Sequence, residues 1–155
     1  MSEHELKRMP RGRQAPPQMV PQSVPGESDL VRVDTTWGQL QPMQVAEGIR
    51  TVGELEVLER LRQGEPVVDS RSAGSHAQAT LPGALNIPHA EATDRSGELD
   101  RSRVTVFFCN GPQCPQSPTA IRALLDGGFP ADRIVYYRGG MHDWVTLGLP
   151  TVPGE

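Results

Sequence analysis

Residues 107–118 read FFCNGPQCPQSP and hold both cysteines of the chain together with three of its prolines. The apolar run VTVFF (104–108) ends at Cys109, and a second thiol, Cys114, follows across four residues. A thiol in that place is either a sulfur nucleophile at the mouth of a site or a small hydrophobe finishing a core strand. The text on both sides has to decide.

Downstream, Ser117 reads as an N-cap with Pro118 at the first helical position, where a missing amide costs nothing. Ile121, Leu124 and Leu125 form an apolar stripe, and Gly127-Gly128 stops the helix. IVYY (134–137) predicts a last strand, followed by Gly139-Gly140 and a short segment anchored by Trp144. Upstream, GIR (48–50) predicts a short strand. Thr51 then opens a helix as a capping box with Glu54, with Val52, Leu55, Leu58 and Leu61 as its apolar stripe, Glu56 paired to Arg60, and Gly64 as its stop. PVVD (66–69) reads as a short buried strand ending at Asp69. Ser72 caps a short helix over AGSHAQA (73–79), and LPGALNIP (81–88) is a turn feeding another strand. A polar connection over residues 89–103 leads back to VTVFF. Strands alternating with helices predict an α/β fold with a parallel sheet covered on both faces.

The remaining text bounds this domain. Residues 1–30 carry Pro10, Pro16, Pro17, Pro21 and Pro25 among polar residues and read as a disordered tail. Residues 31–44 read as an ordered N-terminal extension with Trp37 buried against the domain, which itself spans 45–152. A chain of 155 residues suits one domain. Its net charge of −4 gives no electrostatic footprint for nucleic acid or an anionic membrane surface. Lys7 is the sole lysine, so arginine supplies nearly all positive charge. No apolar run approaches the roughly 18 residues of a membrane-spanning helix. The opening MSEHELKRMPRGRQAPP lacks the apolar region of a secretory signal. Two cysteines do not make a disulfide scaffold. A cytoplasmic, reducing location is expected.

In open parallel sheets a ligand sits beyond the carboxyl ends of the strands. Cys109 is the first residue past VTVFF and belongs to that edge. The loop then runs straight into a helix, so a thiolate there faces the helix's positive end and a ring of loop amides. Both lower a thiol pKa from its reference of about 8.5. Gly111 is expected to supply a left-handed backbone to the loop, and the prolines to stiffen it. Substrate contacts are expected from Asn110, Gly111, Pro112 and Gln113, and anion binding from Arg138 and Arg71, which follow two strands at the same edge. For Arg71 a structural pair with Asp69 is an equal alternative. Cys114 is close enough to Cys109 for the Cα separation of about 4.4–6.8 Å that a disulfide needs. It could resolve a persulfide by thiol–disulfide exchange or merely fill the loop. His76, His89 and His142 read as surface residues; Tyr136, Tyr137 and Trp144 read as core. C-x4-C lacks the paired spacing of a zinc site, and no metal or cofactor is expected. A cysteine phosphatase needs an arginine six residues after its cysteine, and Pro115 and Ala120 stand there.

In this order and spacing, VVDSRS (67–72), LPGALNIP (81–88), FFCNGPQC (107–114) and VYYRGGMHDW (135–144) resemble a rhodanese domain. The likeness covers about Val45 to Pro150. It implies a five-stranded parallel sheet with helices on both faces, and transfer of sulfane sulfur through a persulfide on Cys109. The donor would be thiosulfate, another persulfide or a protein-borne persulfide; the acceptor would be a thiol or cyanide. The sequence is similar to the rhodanese-like subset with two cysteines in the loop. It departs from the family in lacking an arginine or lysine shortly after the first cysteine. Two readings stay open: a sulfurtransferase, or a redox or binding module cycling Cys109 and Cys114 between dithiol and disulfide. A protein partner through the N-terminal tail fits either.

Overall fold

The computed structural model describes residues 22–24, 26–32 and 40–155. Trp37 and the first 21 residues, on which two expectations fell, lie outside them. A hairpin of β1 (Gln22–Val24) and β2 (Glu27–Arg32) crosses the boundary drawn at residue 30. Gly26, with φ 79°, supplies the left-handed backbone for its turn. The main domain follows as β3 (Arg50–Thr51), α1 (Glu54–Arg62), β4 (Val67–Asp69), α2 (Ala73–Gln78), β5 (Leu85–Asn86), β6 (Thr105–Phe108), α3 (Gln116–Asp126), β7 (Ile134–Tyr137) and α4 (Gly140–Thr146). Two short 3-10 turns, His89–Glu91 and Ser96–Glu98, fill the polar connection. β3 to β7 form one parallel sheet in the order β3-β7-β6-β4-β5. This is the α/β architecture expected from the sequence.

The period-two alternation of the strands divides the core. Val68, Phe107, Ile134 and Tyr136 pack with Ile121 and Leu124 of α3 on one face. Val67, Val106, Phe108, Val135 and Tyr137 pack with Val57 of α1 and Met141 and Trp144 of α4 on the other. Helices on both faces explain why β4, β6 and β7 are buried at every position and read as unbroken apolar runs. Trp144 is fully buried, with its indole N–H donating to the Pro150 carbonyl at 2.7 Å.

Three local expectations are corrected. α1 starts at Glu54 after Gly53, not at a Thr51 capping box, because Thr51 is paired with Tyr136 in the sheet and its hydroxyl donates to the Met43 carbonyl. Leu55 is 85% exposed, and Val57 takes the core position instead. A strict i+3 series drifts off one face of a 3.6-residue helix, while Val57, Leu58 and Leu61 stay on it. Burying Val57 contributes about 1.5–3 kcal/mol. α3 begins at Gln116 with Pro115 as its N-cap, so Ser117 lies inside the first turn. Elsewhere the signals behaved as written: Ser72 caps α2 by accepting from the Ser75 amide, and Glu56 pairs with Arg60 at 3.0 Å.

The register fixes the site. Asp69 of β4 stands beside Phe108 of β6, which stands beside Tyr137 of β7. The next residue on each strand, Ser70, Cys109 and Arg138, therefore emerges on one carboxyl edge. Among the described residues no helix is long and apolar enough to cross a membrane.

Candidate active site

The backbone of the cysteine loop is held from behind by α4. The Met141 amide donates to the Cys109 carbonyl at 3.0 Å, and the His142 amide to the Asn110 carbonyl at 2.8 Å. Tying these carbonyls to α4 leaves the amides of the loop and of α3 to serve the sulfurs. Gly140, at φ 57°, makes this approach: a Cβ there would lie 2.4 Å from the Cys109 carbonyl oxygen and 2.8 Å from the Gly111 nitrogen. The left-handed glycine of the site is thus Gly140, not Gly111. Gly111 contributes instead by closing the loop, its carbonyl accepting from the Cys114 amide at 3.0 Å.

Both thiols are free and buried, Cys109 at 1% exposure and Cys114 at 3%. The Ser117 amide, in the first turn of α3, donates to Cys109 Sγ at 3.4 Å, and the Cys109 thiol donates to the Cys114 carbonyl at 3.5 Å. Cys114 Sγ donates to the Gln116 side-chain oxygen at 3.3 Å, and the backbone amides of Gln116 and Asn110 favour its ionised form. The two thiols also interact with each other, and this splits their acidities. Burial, then Cys114 itself, pushes the Cys109 thiol well up, against the Ser117 amide. The neighbouring Cys109 thiol pulls Cys114 down, against burial and helped by the amides and the Arg71 charge. The depressed thiol expected at Cys109 is therefore found at Cys114. One amide does not outweigh complete burial at Cys109, whereas at Cys114 the neighbouring thiol and two amides do. The pair gives up a first proton readily and a second with difficulty, as like charges sharing a site must.

Arg71 and Arg138 fare differently. Asp69 binds Arg71 through the backbone amide and Nε at 3.0 Å each and through Nη2 at 2.8 Å. The same guanidinium donates to the Ala79 carbonyl, and Asp69 also accepts from Thr80 at 2.9 Å and meets His76 Nδ1 at 3.0 Å. Every member of this cluster is buried, so His76 is not a surface residue, and Arg71 takes the structural alternative. Arg138 is half-buried, and its Nε and Nη2 both donate to the Gln41 carbonyl, at 3.0 and 2.9 Å. Gln41 in turn donates its amide to the Pro112 carbonyl of the cysteine loop at 2.7 Å. Asn110 and Gly111 are buried with the thiols, while Pro112 and Gln113 are half-buried at the rim. The surface depression of about 370 Å³ beside β3, lined by Met43, Gln44, Gly48, Ile49, Arg50 and Thr51, includes none of the expected site residues.

Sequence reasoning missed Gln41, whose backbone meets Arg138 and Pro112, whereas Tyr136 is in the core as expected, its buried hydroxyl making no hydrogen bond among the described residues. It missed Ser70 as well, whose hydroxyl accepts from that of Ser117 at 3.0 Å and ties β4 to the start of α3.

Comparison with known proteins agrees with this geometry. The rhodanese-like domain model matches residues 54–147. An HTH-type transcriptional regulator of Mycobacterium tuberculosis is 38% identical over 100 residues, covering 64% of this chain and 43% of the regulator. The chain thus spans less than half the length of that relative. A sulfurtransferase of Allochromatium vinosum is 32% identical over 99 residues, covering 63% of this chain and 89% of that protein. The crystal structure of a rhodanese-related protein from Thermoplasma volcanium shares the fold with a TM-score of 0.57 at 23% identity, covering 66% of this chain and 97% of that one. With its parallel sheet, its strand-end cysteine and a family match over most of the domain, the chain belongs to the rhodanese-like family.

Proposed function

We propose that this chain is a sulfurtransferase that carries sulfane sulfur as a persulfide on Cys109. The observation that carries the reading is Cys109 Sγ at the sheet's carboxyl edge, receiving the Ser117 amide with a second thiol against it. The likeness to the Allochromatium vinosum sulfurtransferase supports it. Cys114 ionises first, so passing the Cys109 proton to its thiolate is uphill, and the Ser117 amide offsets part of that cost by holding the Cys109 thiolate as it forms. The Cys109 thiolate then attacks the outer sulfur of thiosulfate: a bond forms between Sγ and that sulfur, the sulfur–sulfur bond of thiosulfate breaks, and sulfite leaves with the electron pair. The persulfide anion lies among amides at the start of α3, which stabilise negative charge. Asn110, Gly111, Pro112 and Gln113 form the wall around it. An acceptor thiolate or cyanide removes the outer sulfur and restores the Cys109 thiolate. A small persulfide or a protein-borne one serves as donor by the same displacement.

A second reading is favoured by one specific observation, two free thiols buried in one loop with Cys109 Sγ 3.5 Å from the Cys114 carbonyl. In it the domain is a sensing or binding module. Polysulfide places a sulfur on Cys109, the Cys114 thiolate attacks Cys109 Sγ, hydrosulfide leaves and a disulfide remains. The likeness to a transcriptional regulator suits this role. Intact-protein mass spectrometry after thiosulfate or polysulfide separates the two. One added sulfur lost only in Cys109→Ser supports transfer. Loss of two hydrogens with no sulfur-bearing species supports the switch.

A further inference from the structure

Each of the two thiol hydrogens is given to an oxygen. The Cys109 thiol donates to the Cys114 carbonyl at 3.5 Å, and the Cys114 thiol donates to the Gln116 side-chain oxygen at 3.3 Å. Gln116 is half-buried and is the first residue of α3, so its side chain reaches back to the loop from the start of the helix. Its neighbour Ser117 gives its amide to Cys109 Sγ at 3.4 Å. Successive residues of α3 therefore serve the two sulfurs in opposite senses. Ser117 offers a donor, which suits a thiolate; Gln116 offers an acceptor, which suits a thiol. Burial apart, the other influences on Cys114 are Cys109, the backbone amides of Gln116 and Asn110, and the Arg71 charge just past the end of β4, and these favour its ionised form. The Gln116 carboxamide is uncharged, so it biases the Cys114 proton without adding a charge to the site.

The place of that proton decides what becomes of sulfur on Cys109. When Cys109 carries a persulfide anion, a second negative charge on Cys114 is disfavoured, and Cys114 holds its proton. A thiol in that state does not attack; the thiolate is the nucleophile. We propose that Gln116 is a positioning residue that keeps Cys114 as a thiol while Cys109 carries sulfur, and so preserves the persulfide for an outside acceptor. The proposal rests on the sulfurtransferase reading and extends it to the regulation of the same site. Without the Gln116 oxygen, Cys114 ionises more often and its thiolate attacks Cys109 Sγ. The bond from Sγ to the outer sulfur breaks, and the outer sulfur leaves with the electron pair, taking a proton from water as hydrosulfide. Cys114 is oxidised, the outer sulfur is reduced, and the two cysteines remain as a disulfide. The same oxygen helps loading, because the Cys109 proton must pass to Cys114 before Cys109 attacks a donor.

The test uses the full chain as wild type, Gln116→Leu, Gln116→Glu and Gln116→Leu combined with Cys114→Ser, with circular dichroism and melting as folding controls. Each is loaded with thiosulfate, freed of donor and followed by intact-protein mass spectrometry without an acceptor. Gln116→Leu is expected to convert the sulfur-bearing species to disulfide about fivefold faster than wild type, the scale of one hydrogen bond. Gln116→Glu, which keeps the acceptor, should hold its sulfur at least as long as wild type. So should the double variant, which lacks the attacking thiol. The pH profile of Cys114 alkylation in the unloaded chain separates this role from a loosened loop. Its midpoint should move to lower pH in Gln116→Leu and to higher pH in Gln116→Glu, whereas a loosened loop would speed alkylation at every pH without moving it. A persulfide lifetime unchanged in Gln116→Leu, a midpoint unmoved in both variants, or rapid loss of sulfur from the double variant overturns the role of Gln116 and leaves the transferase reading intact. Should Gln116→Leu fail to fold, the Gln116→Glu midpoint decides alone. If neither wild type nor any variant takes sulfur from thiosulfate or inorganic polysulfide, the transferase reading falls and this inference with it.

Discussion

Two arginines stand at the same sheet edge and are held differently. Arg71 is 1% exposed, and its Nε and Nη2 are held by one carboxylate and one carbonyl. Arg138 is half-buried and is answered, among the described residues, by a backbone carbonyl from a distant part of the chain. A buried cation held by two nitrogens on one carboxylate is part of the framework, since breaking that pairing would undo what makes its burial tolerable. A half-buried cation held by a neutral oxygen is not bound into the framework in that way. Position in the sequence made the two equivalent; their partners separate them.

The comparison breaks most visibly at Asp69. Asp69→Ala leaves the Arg71 charge buried and Thr80 unserved, so urea unfolding should show a loss of about 3–5 kcal/mol. A loss under about 1 kcal/mol would mean that Arg71 is not framework at all. Gly140→Ala comes next: it forces a side chain into a left-handed backbone and against the Cys109 and Asn110 main chain. A loss of about 1–3 kcal/mol is expected, with slowed sulfur loading because the loop is displaced. Stability unchanged by that substitution would mean the contact between α4 and the loop is dispensable. Arg138→Gln should cost less than about 1 kcal/mol of stability; a loss as large as that of Asp69→Ala would erase the distinction between the arginines. Smallest is Arg50→Ala, which removes an exposed pair with Glu56 and should change the melt by no more than about 1 kcal/mol.

Much of this was legible beforehand, for identifiable reasons. β4, β6 and β7 are buried on both faces, so they appear as PVVD, VTVFF and IVYY, apolar apart from Thr105 and the closing Asp69. The placement of Cys109 followed from its being the residue after a strand. The contacts of residues 41–45 were not legible, because Gln41, Met43 and Val45 contribute to them main-chain atoms that any residue could offer. Neither was the choice between Leu55 and Val57, which depends on where α1 begins, and that depends on Thr51 being claimed by β7. The Asp69 cluster was half visible: D-x-R suggested a pair, but Thr80 and His76 reach Asp69 only through the fold.

The thiols carry the same lesson on a smaller scale. Cys114, pulled down by Cys109, should be alkylated at a pH below the range where ordinary thiols react, because its thiolate forms there. Cys109→Ala removes that influence and should move the Cys114 profile to higher pH. Cys114→Ala removes a charge that opposes ionisation of Cys109, and should move the Cys109 profile to lower pH. Profiles that do not respond to the partner's removal would contradict the shared proton.

The most direct measurement is intact-protein mass spectrometry of the reduced chain after thiosulfate, in wild type, Cys109→Ser and Cys114→Ser. A single added sulfur in wild type and Cys114→Ser, absent from Cys109→Ser, is the predicted result. Sulfur that stays with Cys114 when Cys109 is replaced, or a disulfide with no sulfur-bearing species, would contradict the account of Cys109 as carrier.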